Sequence, residues 1–215
     1  MAVQFCPVNP SEGREAYRWH RGYAASNDHL FPRTWPAYER MANDGQVWCA
    51  KDEEGDFLAL AYSTLDGDAW EVGGLMVAVQ EKGKGIGSII ARLTLGHLLF
   101  EEDPLGNGQR VIAHIHALND EPRHLFEDVL KFSITNRVCI PVSELPGLKA
   151  NADGYVEGDE LGLVNPQTLT DLASWCRAWK DRLKDGRAAA IVLRDGISLE
   201  MWADAFDDMA FRLTV

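Results

Sequence analysis

Apolar positions along the chain alternate between short strand-like runs and helical spacings, and each change of period marks out an element. Residues 3–6 predict a short strand. After a turn at Ser11, the residues Ala16, Trp19, Tyr23 and Ala24 recur at helical intervals, and a second helix is expected over 34–43. Between the two lies NDHLFPRTWP, with two prolines and three large apolar side chains. Such a segment either meets a substrate or is pinned to the core by Phe31 and Trp35. From 46 to 79 the pattern turns to strands: QVWCAK, FLALAYSTL and AWEVGGLMVAV, parted by EEGD and DGD turns, predict an antiparallel meander.

Residues 86–102 spread apolar side chains around most of a helix, which predicts deep burial. RVIAHIHAL at 110–118 predicts a strand, making that helix the crossover of a parallel connection. A further helix is expected over 121–132, with Leu125, Val129 and Phe132 on one side, followed by a strand at ITNRVCIPV. The polar, glycine-bearing stretch 143–162 reads as a loop or a mobile flap. Leu169, Leu172, Cys176, Trp179 and Leu183 then predict a long helix, opened by a capping box through Asp171 and ended by Gly186. AAAIVL at 188–193 predicts a strand. Residues 198–210 fit either period, and the helix, with Leu199, Trp202, Ala203, Phe206 and Met209 inward, is preferred. Neither an internal repeat nor a linker between independent cores is visible.

Composition narrows the function classes. With 215 residues, 46% of them hydrophobic, the chain can bury about 70% of its unfolded surface and needs no disulfide or metal staple. Its formal charge of −12 disfavours nucleic acid and anionic membrane surfaces, and leaves cationic small molecules and basic peptides as partners. Cys6, Cys49, Cys139 and Cys176 lack CxxC spacing and read as reduced thiols. The opening MAVQFCPVNP has neither a basic nor an apolar leader region, and no stretch reaches the length of a membrane span, so a cytoplasmic protein is expected.

The most specific feature is VAVQEKGKGIGSII, where a strand passes through Gly83, Gly85 and Gly87 into a helix. Glycines there let consecutive backbone N–H groups point at an anion placed on the positive end of the helix dipole. A dinucleotide fingerprint GxGxxG fails at Ser88, and the phosphate loop GxxxxGK followed by Ser or Thr is absent from the sequence.

At these residues the sequence resembles the GNAT acetyltransferase superfamily. Its signature is Arg or Gln, two residues, Gly, one residue, then Gly or Ala, between a strand and a helix. Residues 82–87, KGKGIG, match the common form RGKGIG with Lys82 in the first place; residues 80–85 match the signature literally but misplace the helix start by two residues. The first register is adopted. The resemblance implies that acetyl-CoA lays its pyrophosphate on the backbone of Gly83, Lys84, Gly85, Ile86, Gly87 and Ser88. It also implies that pantetheine pairs with a bulged strand at Met76, Val77 and Ala78, the bulge suiting Gly73 and Gly74. NDEPRHLFEDVLKF resembles the family pattern NxxAxxLYEKLGF, with Asn119 and Leu125 in place and Phe126 where a tyrosine would protonate the departing thiolate.

The likeness covers roughly residues 45–132. It implies an α/β fold with a central mixed, mostly antiparallel sheet flanked by helices: an acyl-CoA-binding domain over 1–142, and an extension over 143–215 that completes or packs on the same domain. It implies an N-acetyltransferase that passes acetyl to a primary amine, on a small molecule or a peptide, by direct attack in a ternary complex. A catalytically silent acyl-CoA sensor or partner module is the alternative, suggested by Phe126. Acyl-chain length is open, as is oligomeric state, a homodimer among the options.

Transfer to an amine needs a base. Glu71, on the strand expected to line the cleft, is the leading candidate, against a solvent-facing strand carboxylate. His114 and His116 share one face of a strand, where His-x-His could ligate zinc. A third ligand at fitting spacing is not evident, so no metal is expected; cleft or core histidines are the simpler reading, with His116 kept as a second catalytic candidate. The acidic residues Asp153, Glu157, Asp159 and Glu160 either attract a cationic acceptor, such as a polyamine, an aminoglycoside or a lysine-like chain, or form a solvated loop.

Overall fold

The computed structural model describes residues 3–214; Met1, Ala2 and Val215, at the outer ends of the two expected spans, lie outside it. Eight strands form one sheet: β1 (Gln4–Pro7), β2 (Val47–Lys51), β3 (Phe57–Asp66), β4 (Ala69–Val77), β5 (Arg110–His116), β6 (Ser133–Pro141), β7 (Tyr155–Gly162) and β8 (Ala190–Ile191). Their spatial order is β6-β7-β5-β4-β3-β2-β1-β8. The meander β2–β3–β4 is antiparallel, and only β4/β5 and β1/β8 are parallel. Six helices flank the sheet: α1 (Gly13–Ala25), α2 (Trp35–Asn43), α3 (Ile86–Glu102), α4 (Asp120–His124), α5 (Gln167–Lys184) and α6 (Leu199–Arg212). The expected mixed, mostly antiparallel α/β fold is the one observed. No described helix is long and apolar enough to cross a membrane.

Two apolar clusters sit on the two faces. One joins the sheet to α3, α5 and α6, through Ile90, Leu93, Leu98, Leu172, Trp202 and Phe206 among others. The other packs α1 and α2 on the opposite face, through Ala16, Tyr38, Met41, Tyr62 and Met76. Cys6 and Cys49, far apart in sequence, are register partners on β1 and β2, with Sγ atoms 3.6 Å apart and both thiols free.

Four expectations need correction. Part of the stretch expected as a loop or flap, Tyr155–Gly162, is β7, seated between β5 and β6. Its acidic side chains hid it: Asp159 pairs with Arg123 at 2.8 Å and Glu160 with Arg110 at 3.1 Å, so charges that look solvated in sequence are neutralised within the sheet. The sheet therefore runs on past residue 142. The helix expected to reach Phe132 stops at His124 and passes into a π-helical turn, Leu125–Val129, closed by the Leu130 N–H on the Leu125 carbonyl at 2.9 Å. Asp171 forms no capping box. It accepts from Gln167 Nε2 at 2.7 Å, while the Thr168 N–H that a box would use goes to the Asn165 carbonyl at 3.0 Å. The strand expected over 188–193 shrinks to the two residues of β8.

Candidate functional site

A bulge in β4 shapes the site. Between the Tyr62–Gly73 and Leu60–Met76 pairs, β4 sets two residues, Gly74 and Leu75, against the single Ala61 of β3. Gly74 takes φ +61°, and a Cβ there would lie 2.0 Å from the Tyr62 ring, so only glycine admits the bend. Pairing of β4 with β5 ends at Glu71–Ile112, although β4 runs on to Val77 and β5 to His116. The strands diverge beyond that point, and one backbone edge of β4 faces open space. Divergence is sustained because β5 finds its other partner in β7, as far as the His116–Gly158 pair.

A groove of about 560 Å³ lies along this edge. Its walls include Leu75 and Val77 of β4, the loop and first turn of α3, and Asn119, Pro122 and Leu125. Gly83 and Gly85 take φ of +77° and +83°, with nothing within 4 Å of a built Cβ, so the backbone before the 17-residue α3 is bare and reachable. An α-helix of this length begins with unpaired N–H groups and a partial positive charge. The residues present thus fit a pyrophosphate, and the open strand edge beyond them fits an amide-bearing chain.

Of the cofactor residues expected from sequence, Val77, Lys82, Gly83, Gly85, Ile86, Gly87, Ser88 and Asn119 line this groove. Ala78 lines a shallower hollow beside it. Met76 is buried in the second cluster and can offer only backbone. Lys84 turns aside to Glu81 at 2.9 Å, and Lys82 spans the groove mouth to Glu121 at 2.7 Å. Phe126 departs from expectation. It is 2% exposed, packed edge-on against Phe132 in the core, while its neighbour Leu125 faces the groove. The wide π turn sets the side chains of this segment off the register that a regular helix would give.

A second cavity, of about 310 Å³, opens where β4 parts from β5 and shares Gly73 and Gly74 with the bulge. Glu71 lies in its floor. Arg33 Nη2 donates to Glu71 at 2.7 Å and its Nε to the Tyr62 hydroxyl at 2.8 Å. His114 stands between two carboxylates, Nδ1 at 3.8 Å from Glu71 and Nε2 at 3.7 Å from Glu160. Burial pushes the Glu71 carboxyl upward, but His114 and Arg33 outweigh it and hold it below the usual carboxylate range. His114 is raised above its ordinary value, chiefly by Glu71, against a smaller opposing effect of burial. His116 lies nearby with both ring nitrogens engaged: Nδ1 accepts the Leu118 N–H at 3.1 Å, which leaves Nε2 to donate to the Lys149 carbonyl at 2.9 Å.

Sequence reasoning reached Glu71 and His116 but missed Arg33 and set His114 aside. The signal for His114 was its shared strand face with His116, and for Arg33 its place in the apolar, proline-bearing loop. Of that loop's large side chains, Phe31 lines the cavity, while Trp35 packs at a tilt against Tyr17 with Arg14 over its ring. Among the acidic residues of β7 and its preceding turn, Glu157 lines the cavity. Among the described residues no group of three His, Cys, Asp or Glu is placed to hold a metal ion.

No protein-family model matches the sequence, and no curated protein matches it. Solved structures do. A GNAT-family acetyltransferase of Streptococcus pneumoniae aligns at 13% identity and TM-score 0.55, over 74% of this chain and 97% of that one. An N-acetyltransferase of Staphylococcus aureus aligns at 14% and 0.55, over 76% and 98%. A GNAT-superfamily phosphinothricin acetyltransferase of Sinorhizobium meliloti, in complex with acetyl-CoA, aligns at 16% and 0.55, over 75% and 88%. With its splayed β4 and β5, its glycine-led α3 and these neighbours, the chain has the fold of the GNAT acetyltransferases.

Proposed function

We propose that the protein is an acetyl-CoA-dependent N-acetyltransferase acting on a primary amine by direct attack in a ternary complex. One observation carries the reading: the anion-binding groove and the acidic cavity meet along the open edge of β4, Leu75 and Val77 in one, Gly73 and Gly74 in the other. A thioester lying in the groove would place its acyl end at the cavity holding Glu71 and His114. The bound donor supplies the activated acetyl group, and this chain's residues do the rest. A backbone N–H of the bulged strand polarises the carbonyl. His114, raised above its ordinary value by Glu71, is a stronger proton acceptor than Glu71, whose carboxylate His114 and Arg33 hold below its usual range. Glu71, fixed by Arg33, orients His114 and stabilises its charged form. His114 takes a proton from the arriving ammonium, the freed amine bonds to the acetyl carbon, the carbon–sulfur bond breaks, and sulfur leaves as thiolate. One of the two protons left on nitrogen passes to the thiolate or to water, and the amide keeps the other. His116, whose ring nitrogens are both bonded, serves position and not proton transfer.

Phe126 in the core leaves its place without a phenol, which is what favours the second reading, a silent acyl-CoA-binding module. Two measurements separate them. Acetyl-CoA at 100 times its dissociation constant should stabilise the fold by about 2.7 kcal/mol. Gly85→Asp, judged against its own baseline, should remove that gain, since a carboxylate there repels a pyrophosphate. Free thiol should then appear when a library of primary amines is added with acetyl-CoA. Binding without thiol release supports the silent module, and an unmoved melting temperature sinks both.

A further inference from the structure

The acceptor cavity is two-sided. Asp66 and Glu71 bring negative charge to one end of its lining, where Arg33 is already bonded to Glu71 and Tyr62. Glu157, opposite Cys139, alternates to the other face from Val138 and Ile140, and its carboxylate accepts from Asn151 Nδ2 at 2.7 Å. Much of the remaining wall is apolar: Leu30, Phe31, Val138, Ile140, Leu145 and Leu148, each only half-buried as the protein stands. Apolar surface gathered in a concave site and left partly open is stabilised by an apolar occupant. The acids call for a cation beside it. A second ammonium, as on a polyamine, would have to rest against the apolar wall without a partner, which is costly.

Two loops close the cavity from above. The Lys149 N–H donates to the Asp28 carbonyl at 2.7 Å, tying the β6–β7 loop to the α1–α2 loop. His116 donates to the Lys149 carbonyl from below and stacks on His29 with ring centroids 4.5 Å apart. A Cβ on Gly147 would sit 3.5 Å from Pro32, so the loops come close at a second point. A folded protein or an extended peptide would have to break this clasp to enter, whereas a molecule that fits within about 310 Å³ need not.

We infer that the acceptor is a compact monoamine, one primary ammonium on a single apolar body, and that the clasp of the two loops excludes peptide and protein amines. The assignment deepens the acetyltransferase reading and rests on it for turnover, though not for binding. It replaces the polyamine, aminoglycoside and lysine-like acceptors that net charge alone suggests, because the shape and lining of the cavity admit only one charge.

The test separates binding from chemistry. The full-length protein is titrated calorimetrically, with and without coenzyme A, against 2-phenylethylamine, hexylamine, spermidine and a hexapeptide with a free N-terminus. One of the two apolar monoamines should bind at least about tenfold more tightly than spermidine or the peptide. Ile140→Asp, and independently Leu148→Asp on the loop, should each weaken that monoamine by about tenfold or more, with the circular dichroism spectrum confirming the fold of whichever variant is used. Equal or tighter binding of spermidine or the peptide, no binding of either monoamine, or indifference to both substitutions overturns the assignment. Thiol release from acetyl-CoA is measured in parallel. A monoamine that binds in the cavity but releases no thiol leaves the acceptor class standing and removes the transferase reading; thiol released with spermidine alone does the reverse.

Discussion

Arg33 holds two partners at once, and the consequence falls on Glu71: a carboxylate in an ion pair at 2.7 Å is a weak proton acceptor, and His114 beside it becomes the stronger one. The two roles predict different pH profiles. If neutral His114 is the base, kcat/KM rises with pH through a limb lying above the histidine's ordinary 6.5, because Glu71 favours the charged ring. Glu71→Gln should move that limb to lower pH and keep it; His114→Gln should erase it and cost about 10²–10⁴ in kcat. Loss of the limb in Glu71→Gln, with His114→Gln retaining it, would return the base to Glu71. A second histidine titrates the opposite way. His20 is 0% exposed, and burial, with Arg33 and Arg21 nearby, lowers it from 6.5 to about 4. Its unfolded form binds a proton more readily, so the stability it permits is complete above pH 6.5 and is lost as pH falls toward 4. About 2 kcal/mol should vanish between pH 7 and pH 5, measured by urea unfolding, and His20→Gln should flatten that slope. An unchanged slope in the variant would assign the acid sensitivity to other groups.

At the scale of elements, close approach decides where glycine must stand. Gly96 lies inside α3, where alanine is ordinarily better by about 1 kcal/mol. Here a Cβ would meet Trp202 at 2.9 Å and Phe206 at 3.3 Å, both buried on α6. Gly96→Ala should therefore destabilise by about 1–3 kcal/mol in denaturant unfolding, and Trp202→Phe in the same chain should recover part of it. A raised midpoint for Gly96→Ala would mean that the α3–α6 contact yields easily. The strength of periodic signals explains which elements were legible in sequence. The meander and α3 were readable because strand and helix periods there are unmixed, whereas α6 could only be preferred as a helix, since its apolar residues fit both periods. The glycine loop was readable since backbone freedom leaves a visible trace. β7 was not, because its charges are paired by Arg110 and Arg123, which are distant in sequence. Phe126 was misplaced for a related reason: a π turn shifts facing without changing composition. Arg33 could be found only by knowing that its loop folds back over β4, a tertiary fact that no local pattern carries.

Over the whole molecule, α5 and α6, with the short β8, form a helical layer at the C-terminal end of the described chain. That layer shares one apolar cluster with the sheet and α3. The near-uniform hydrophobicity of α3 makes sense in this light, since a helix apolar all round must be covered on both sides. Its sheet-facing side meets the strands, and Gly96 meets α6. On α6 alone, Leu199, Trp202, Phe206 and Met209 are buried. Burial of each large side chain is worth about 1.5–3 kcal/mol before the entropy of ordering the helix is subtracted, and the net stability of a domain is only about 5–15 kcal/mol, so loss of the four is a large perturbation. A chain ending at residue 164 keeps every strand of the sheet but β8, the whole groove and the whole acceptor cavity, yet it exposes the outer face of α3. Such a chain should be insoluble or unfolded by circular dichroism. Trp202→Ser in the full chain, a smaller version of the same loss, should lower stability by about 3–5 kcal/mol without altering the affinity of the remaining folded protein for acetyl-CoA. A soluble truncated chain with a cooperative unfolding transition would show that α3 tolerates water, and would make the helical layer an addition to the fold and not part of its core.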